Sequence, residues 1–224
     1  MKRFAGFCLV LVCALALSNS SGAQMGTGMR GPSVNGVWSP VVGSGAAYQM
    51  ENKREGKQEI EIAIVAAETA AGKPGHWMEM SFKSADAGRV VMRQLQVLDG
   101  KEMRTLRMVF QQNDDEPMEM PMQMMAMMGG GQQRQQKSDV RSDAEKVGTE
   151  SITTPAGTFA CEHWRSKDKS ADYWVSDKIS PWGLVKMTSP DASMVLTRVI
   201  TNAKTKIRGT PKVFDPSQMM QRPN

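Results

Sequence analysis

The stretch Gln58-Glu-Ile-Glu-Ile-Ala-Ile-Val65 decides the fold class of this 224-residue chain. Ile60, Ile62 and Ile64 alternate with glutamate and alanine. Successive side chains of a β-strand point to opposite faces, and β-branched residues are enriched in strands. The stretch therefore predicts a strand that buries one face and exposes the other.

The segments that follow repeat this period of two, and turn signals separate them. Gly72-Lys-Pro-Gly75 and Asp99-Gly100 are the first of these turns. Further strand-like segments follow residue 150, and no apolar stripe with a helical period runs for a dozen residues. The chain is therefore predicted to be mainly β, a curved antiparallel meander or half-barrel. We expect one domain over residues 41–209, with a flexible lead-in at 24–40 and a flexible tail at 210–224.

The N-terminus carries the pattern of a secretory signal peptide. Lys2 and Arg3 precede an apolar run from Phe7 to Leu17, which is too short to span a bilayer as a mature helix. Small residues follow, and we place the cleavage after Ala23. The sequence thus predicts export to the periplasm or beyond, with no transmembrane anchor in the mature chain.

Cysteine usage and charge restrict the possibilities further. Cys8 and Cys13 lie within the predicted signal peptide, which leaves Cys161 and no internal disulfide in the mature chain. Removing Lys2 and Arg3 lowers the formal net charge from +5 to +3. The remaining basic residues are dispersed among acidic ones, a pattern typical of a solvated surface. We therefore expect no nucleic-acid partner.

Residues 113–137 form a low-complexity insert rich in methionine, glycine and glutamine, which we predict to be disordered. Three interpretations of its methionines stay open: a loop without a ligand, an adaptable hydrophobic flap, and a soft-metal site. Thioethers favour Cu(I) or Ag(I), and in an extended chain the M-x-M-x-M pattern places three of them on one face. The candidate metal ligands are Met118, Met120, Met122, Met124, Met125, Met127 and Met128.

Cys161 and His163 are two residues apart in a predicted strand and should share one side of it with Phe159. They could supply two metal ligands, but a buried structural cysteine beside a hydrogen-bonded histidine is the favoured interpretation. Common catalytic and phosphate-binding motifs are absent from the sequence. No catalytic residue is therefore assigned.

Three segments resemble one set of exported bacterial β-rich proteins of unknown function: Thr154-Pro-Ala-Gly-Thr-Phe-Ala-Cys-Glu-His163, Tyr173 to Lys186, and Ala203 to Pro211. Val42 to Tyr48 and Pro117 to Met122 also fit that set. The set resembles in architecture the half-barrel of the lipoprotein-carrier (LolA/LolB-like) proteins. This resemblance implies a curved sheet that wraps an apolar cavity.

We therefore expect a non-enzymatic envelope protein that binds a lipid or another apolar molecule on its concave sheet face, with no cofactor. The alternative is a Cu(I)- or Ag(I)-binding protein that uses the insert. The sequence leaves the ligand and the oligomeric state open. The predicted lining of the apolar face is Ile60, Ile62, Ile64, Met78, Met80, Phe82, Leu106, Met108 and Phe110.

Overall fold

A computed structural model of the chain describes residues 34–53, 56–84, 87–121 and 136–215. Strands dominate these ranges, which confirms the predicted mainly β fold. One turn of 3-10 helix, Val140–Asp143, precedes the second half of the strands. The strands are β1 Gly45–Asn52, β2 Gly56–Ala70, β3 Lys73–Ser84, β4 Gly88–Asp99, β5 Glu102–Gln112, β6 Met118–Met120, β7 Gln136–Lys137, β8 Ala144–Thr154, β9 Gly157–Ser166, β10 Asp172–Val175, β11 Leu184–Thr188, β12 Ala192–Ile200 and β13 Lys212–Val213.

The described strands form one open, curved sheet in the order β13-β6-β5-β4-β3-β2-β1-β12-β11-β10-β9-β8, and β7 pairs with β5. Neighbours are antiparallel except β13 and β6, which run parallel. β1 joins the two halves because it pairs with β2 on one side and β12 on the other. Cα atoms of β8 come within 8 Å of those on β11 and β12, three and four places away in the sheet order. The sheet therefore curls at its β8 end.

The β2–β3 hairpin shows how local chemistry sets the register. Ala71 and Gly72 form its two-residue loop, and both have positive φ, at 51° and 72°. Glycine adopts this backbone region without steric cost, and such loops match the twist of the strands that they join. The turn thus begins one residue before the predicted position, and Pro74 and Gly75 already belong to β3. In this register Ile60, Ile62 and Ile64 lie opposite Phe82, Met80 and Met78.

We call the face that bears these isoleucines the inner face, and the face that bears Trp77 the outer face. A large apolar cluster, the inner core, covers much of the inner face. Its buried members come from both halves of the sheet, including Ile62 on β2, Cys161 on β9 and Met194 on β12. A second, smaller cluster on the outer face contains Trp77, Val91, Leu95, Val109 and Ile207.

Residues 34–40, the end of the predicted lead-in, contact the core of the sheet. Val34 is only 3% exposed, and the Trp38 ring lies 4.9 Å from that of Trp182. The backbone N–H of Val37 donates to the Trp182 carbonyl at 2.6 Å. The segment therefore packs against the inner core as an irregular strip. Isolated apolar anchors without a period gave no signal for this packing in the sequence.

The C-terminal segment 203–211, which we call the strap, crosses the outer face. Ile207 inserts into the outer cluster, and the buried Gln111 side chain binds both the N–H and the carbonyl of Arg208, each at 2.9 Å. Beyond the strap, β13 pairs with β6. This strand falls within residues 210–224, the predicted tail.

Two short strands fall within residues 113–137, the predicted insert. Met118–Met120 forms β6 against β5, and Gln136–Lys137 forms β7 against the start of β5. Residues 122–135, the predicted signal peptide at 1–23 and the end of the tail at 216–224 lie outside the described residues. Within the described ranges, no helix has the length and hydropathy needed to cross a bilayer.

Candidate functional site: a methionine-lined sheet face

Two cross-strand rows of side chains run along the inner face from the core toward the β6 edge. The first row is Ile62, Met80, Met92, Phe110 and Met118, on β2 to β6 in turn. The second row, on the same strands, is Ile64, Met78, Gln94, Met108 and Met120. Directly opposed side chains in a sheet are close enough to pack, so each row is a continuous line of contact.

Burial decreases along both rows. The isoleucines of β2 are fully buried, and Met78 and Met80 of β3 are 5% and 8% exposed. From β4 outward the side chains become half-buried and no longer belong to the inner core. We call the half-buried set the methionine face: Met92, Met108, Phe110, Met118 and Met120.

The predicted lining therefore divides into two parts. The buried part belongs to the protein's own core, which also contains Tyr48 and Trp182; it comprises Ile60, Ile62, Ile64, Met78 and Met80. Phe82 packs at the border of that core. Met108 and Phe110 belong to the methionine face, as their alternation predicted. Position on the inner face was predictable, but burial was not, because it depends on loops that come from other parts of the chain.

Leu106 is a correction to the predicted set. It packs against the outer cluster and not with Met108 and Phe110. The β4–β5 register shifts between Leu95 and Gln96, so that Arg107 pairs with Leu95 and Thr105 with Gln96. A β-bulge opposes two residues to one and interrupts alternation, and Leu106 is the unpaired residue.

The methionine face carries no charged side chain from the strands that form it. Glu79, Arg93, Arg107 and Glu119 alternate with its residues and lie on the outer face. There Arg107 binds Glu119 through two hydrogen bonds of 2.7 and 2.9 Å. Arg93 and Arg107 also stack over the Trp77 ring at 4.8 and 5.1 Å. On β4, β5 and β6, charge is therefore segregated to the outer face, and the inner face is apolar with a few uncharged polar side chains.

The uncharged polar side chains of this region are linked by a short chain of hydrogen bonds. Thr105 Oγ1 donates to Gln96 Oε1 at 3.2 Å, and Gln96 Nε2 donates to Gln94 Oε1 at 2.8 Å. Gln94 Nε2 then donates to the Met92 sulfur at 3.2 Å. Gln96 is buried and Gln94 is half-buried between Met78 and Met108. The chain of donors thus ends on a thioether, which is a weak acceptor.

Two of the seven predicted metal ligands lie in the described residues. Met118 and Met120 are on the same face of β6, as the M-x-M pattern predicted, and Met120 lies directly opposite Met108 on β5. The structure therefore adds Met108 to this group of thioethers. The others, Met122, Met124, Met125, Met127 and Met128, are outside the described residues.

No protein-family model matches the chain, and no curated protein matches it in sequence. Three solved structures are similar in part. A protein from Bacteroides fragilis, described as exported and with a YmcC-like fold, is 15% identical with a TM-score of 0.34, over 74% of this chain and 99% of that one. A protein from Parabacteroides distasonis, described as a lipoprotein, is 15% identical with a TM-score of 0.35, over 75% and 100%.

The third similar structure is MucB in complex with MucA(peri). It is 13% identical with a TM-score of 0.38, and the match covers 75% of this chain and 53% of that one. At these identities and TM-scores, the three structures assign neither a family nor a function to this chain. The site must therefore be judged on its own geometry.

A second concave site lies on the other half of the sheet. A cavity of about 560 Å³ is lined by Val37, Trp38, Ser39, Arg141, Thr149, Ala160, Cys161, Glu162, Val175, Ser176, Asp177 and Gly183. Its volume falls in the range of small-molecule pockets. None of the predicted lining residues contributes to it, and it mixes ionic and apolar walls. Arg141 is already bound by Asp139 and lies 3.7 Å from Glu162.

Cys161 and His163 occupy structural positions, as the favoured interpretation predicted. Burial, and secondarily the charge of Glu150, raise the pKa of the Cys161 thiol to about 11, so the thiolate is scarce at neutral pH. His163 stacks on Trp174 at 4.4 Å and lies between the carboxylates of Asp172 and Glu150, at 2.7 and 3.0 Å. Among the described residues, no three or more His, Cys, Asp or Glu side chains are grouped to hold a metal ion.

Sequence reasoning missed Met92 and Gln94, which connect the predicted face on β3 to that on β5. The signal was present, because Val90, Met92 and Gln94 alternate with Val91 and Arg93. That segment has apolar residues on both of its faces, since the outer cluster buries Val91 and Leu95. Alternation alone therefore did not show which face of β4 joins which neighbour.

Proposed function

We propose that this protein is a non-enzymatic envelope protein that binds an apolar, lipid-like ligand on the methionine face. The observation that supports this most directly is the continuation of both apolar rows beyond the inner core. The chain uses Ile62 and Met80 for its own packing, whereas Met92, Met108 and Met118 extend the same surface half-exposed. Methionine side chains re-pack around ligands of varied shape, which suits a flexible acyl chain.

The envelope location is supported by the N-terminal sequence. A positive start, a short apolar run and small residues before Gln24 together predict cleavage and export. An exported protein with a half-buried apolar face that is not used by its own core would meet lipids and lipid-modified proteins. Large exposed apolar surfaces on soluble domains also commonly mark interaction sites.

The test is titration of the purified protein with N-phenylnaphthylamine, an uncharged fluorescent probe that brightens in apolar surroundings. In the test variant, Met92, Met108, Met118 and Met120 are all changed to glutamine, which keeps side-chain length but makes the surface polar. We expect probe affinity to fall about tenfold or more, because several apolar contacts are lost together. In a control variant, Val42, Val147 and Val199 become glutamine. These valines are 52%, 52% and 40% exposed elsewhere on the protein, and probe binding should be unchanged.

A third variant separates the methionine face from the cavity. Ala160 is exposed and lines the cavity, so Ala160→Phe should obstruct it without disturbing the core. Probe binding that survives Ala160→Phe and is lost in the glutamine variant supports the methionine face. The opposite pattern would place the ligand in the cavity and overturn the proposal.

A second candidate function is the binding of Cu(I) or Ag(I). The specific observation in its favour is the group of Met108, Met118 and Met120. Met108 and Met120 are directly opposed, and Met118 is two residues from Met120 on the same face, so the Cβ atoms are about 5–8 Å apart. Long thioether side chains can converge on one ion from such positions, and soft sulfur ligands select Cu(I).

Leucine substitutions distinguish this candidate from the first, because leucine keeps the surface apolar and removes the sulfur. With Met108, Met118 and Met120 changed to leucine, calorimetric titration with Ag(I) should lose a binding site while N-phenylnaphthylamine still binds. A matched variant changes Met122, Met124, Met125, Met127 and Met128 to leucine. An unchanged Ag(I) isotherm in the first variant would rule out the sheet site, and a loss confined to the second would move the ligands to the insert.

A further inference from the structure

Gln94 is the one polar side chain in the second inner-face row, and its surroundings restrict the chemistry of the ligand. It lies between Met78 on β3 and Met108 on β5, directly opposite both. Its Oε1 accepts a hydrogen bond from the buried Gln96, whose own Oε1 is held by Thr105. This second layer of hydrogen bonds fixes the Gln94 amide with its NH₂ group directed away from Gln96.

That NH₂ group has donor capacity to spare. An amide nitrogen carries two hydrogens, and Gln94 gives one to the Met92 sulfur at 3.2 Å. For the second hydrogen no protein acceptor is found among the described residues. Ligand sites that are mostly apolar usually contain a few such oriented polar groups, which set the orientation of the ligand.

The charge distribution restricts the ligand further. Arg93, next to Gln94 on β4, and Arg107, next to Met108 on β5, are on the outer face, where they stack on Trp77. Among the described residues no counter-ion lies on this face, so a carboxylate or phosphate at Gln94 would lose its hydration there without an ionic partner. Burial of an unpaired charge is far more costly than burial of a neutral carbonyl that accepts one hydrogen bond.

We propose that the ligand is an uncharged acyl ester or amide whose carbonyl oxygen accepts a hydrogen bond from Gln94 Nε2, while its acyl chain lies along the methionine face. This proposal rests on the proposed function and makes it more specific. Acylglycerols and the acyl groups of lipid-modified proteins have this chemistry, whereas free fatty acids and phospholipid headgroups do not. Gln94 is thus a specificity-determining residue.

The experiment is displacement of N-phenylnaphthylamine by monooleoylglycerol and, separately, by oleate at a pH where it is ionised. The two share an acyl chain and differ in the charge of the head. We expect monooleoylglycerol to compete about tenfold or more better than oleate. Gln94→Met keeps the length of the side chain and removes the amide. Relative to the probe affinity of the same variant, it should weaken monooleoylglycerol about fivefold to tenfold, as expected for one hydrogen bond.

Gln112→Met is the matched control, since Gln112 lies opposite Val90 at the other end of the same face and donates to the Ala87 carbonyl at 3.0 Å. It should leave the competition unchanged. If the probe binds but Gln94→Met does not affect monooleoylglycerol, or if oleate competes equally well, the role of Gln94 is wrong while the proposed function stands. If the wild-type protein does not bind the probe or either lipid, both proposals fail.

Discussion

Met80 and Met108 have the same side chain and lie on the same sheet face, but their surroundings differ. Met80 is 8% exposed inside a cluster built from both halves of the chain, whereas Met108 is half-buried and outside it. Alternation in the sequence assigns both to one face, because the side chains of a strand repeat every two residues. It does not show that Met80 shares a buried cluster with Trp182, about a hundred residues away, and that Met108 does not.

Asp172 gives a prediction at the scale of single residues. Partial burial raises the pKa of its carboxyl group, but hydrogen bonds from His163 and Arg165 lower the pKa more, so the net shift is below the usual 3.8. The folded protein therefore favours the carboxylate. This contribution to the free energy of unfolding is fully present above the usual pKa and is lost as pH falls through the lowered value.

Asp172→Asn should lower the free energy of unfolding at neutral pH by about 1–2 kcal/mol, since the side chain is 23% exposed and screening is partial. The difference from wild type should shrink below about pH 4. Urea unfolding at several pH values measures both effects. Asp191→Asn is the control. The Asp191 side chain is 82% exposed, so its ion pair with Lys53 should contribute little to the free energy of unfolding. A difference that persists undiminished in acid would contradict this account.

At the scale of elements, the strap is an unusual connection because it has no regular structure and yet is tightly held. Glu79, only 4% exposed, accepts hydrogen bonds from Thr205 Oγ1 at 2.6 Å and from the Lys206 N–H at 2.7 Å. The second contact satisfies a backbone N–H that a strand or helix would otherwise pair. Ile207 then supplies the apolar contact with the outer cluster.

Ile207→Ala should therefore lower the free energy of unfolding by about 2–3 kcal/mol, from lost burial and the cavity left beside Trp77. Val213 on β13 is 68% exposed, so Val213→Ala should change the free energy of unfolding by less than about 0.5 kcal/mol. Chemical denaturation followed by circular dichroism measures both. Equal effects for the two variants would show that the strap contributes no specific packing.

Most of the strands could be predicted from the sequence, and the exceptions show which information was missing. β2 and β3 alternate cleanly and end at glycine turns, so their presence and inner-face residues follow from the sequence. The sequence placed the residues of β6 in a disordered insert. They form a strand through pairing with β5 and β13, and no local preference predicts it. The bulge at Leu106 likewise depends on the register between β4 and β5 and has no local sequence signature.

At the scale of the whole molecule, the two halves of the sheet share one core. β1 pairs with β12, from Gly45 opposite Ile200 to Asn52 opposite Ala192, across about 140 residues of chain. Trp182, which is 1% exposed, contributes to the same cluster as Ile62 of β2 and Val175 of β10. Such long-range contacts leave no trace in local patterns, so the meander was predictable but the curl and the closure of its core were not.

This shared core predicts that the halves unfold together. Trp182→Ala should lower the free energy of unfolding by about 3–5 kcal/mol, because it removes a large, fully buried ring. In hydrogen exchange, the amides of β3 and β4 should lose the same protection as those of β9 and β10, because a cooperative domain opens as one unit. Val147 is half-exposed on β8, at the edge of the sheet, so Val147→Ala should leave the protection of both groups of amides unchanged. If β3 and β4 keep full protection in Trp182→Ala, the two halves are independent, and the methionine face would rest on the first half alone.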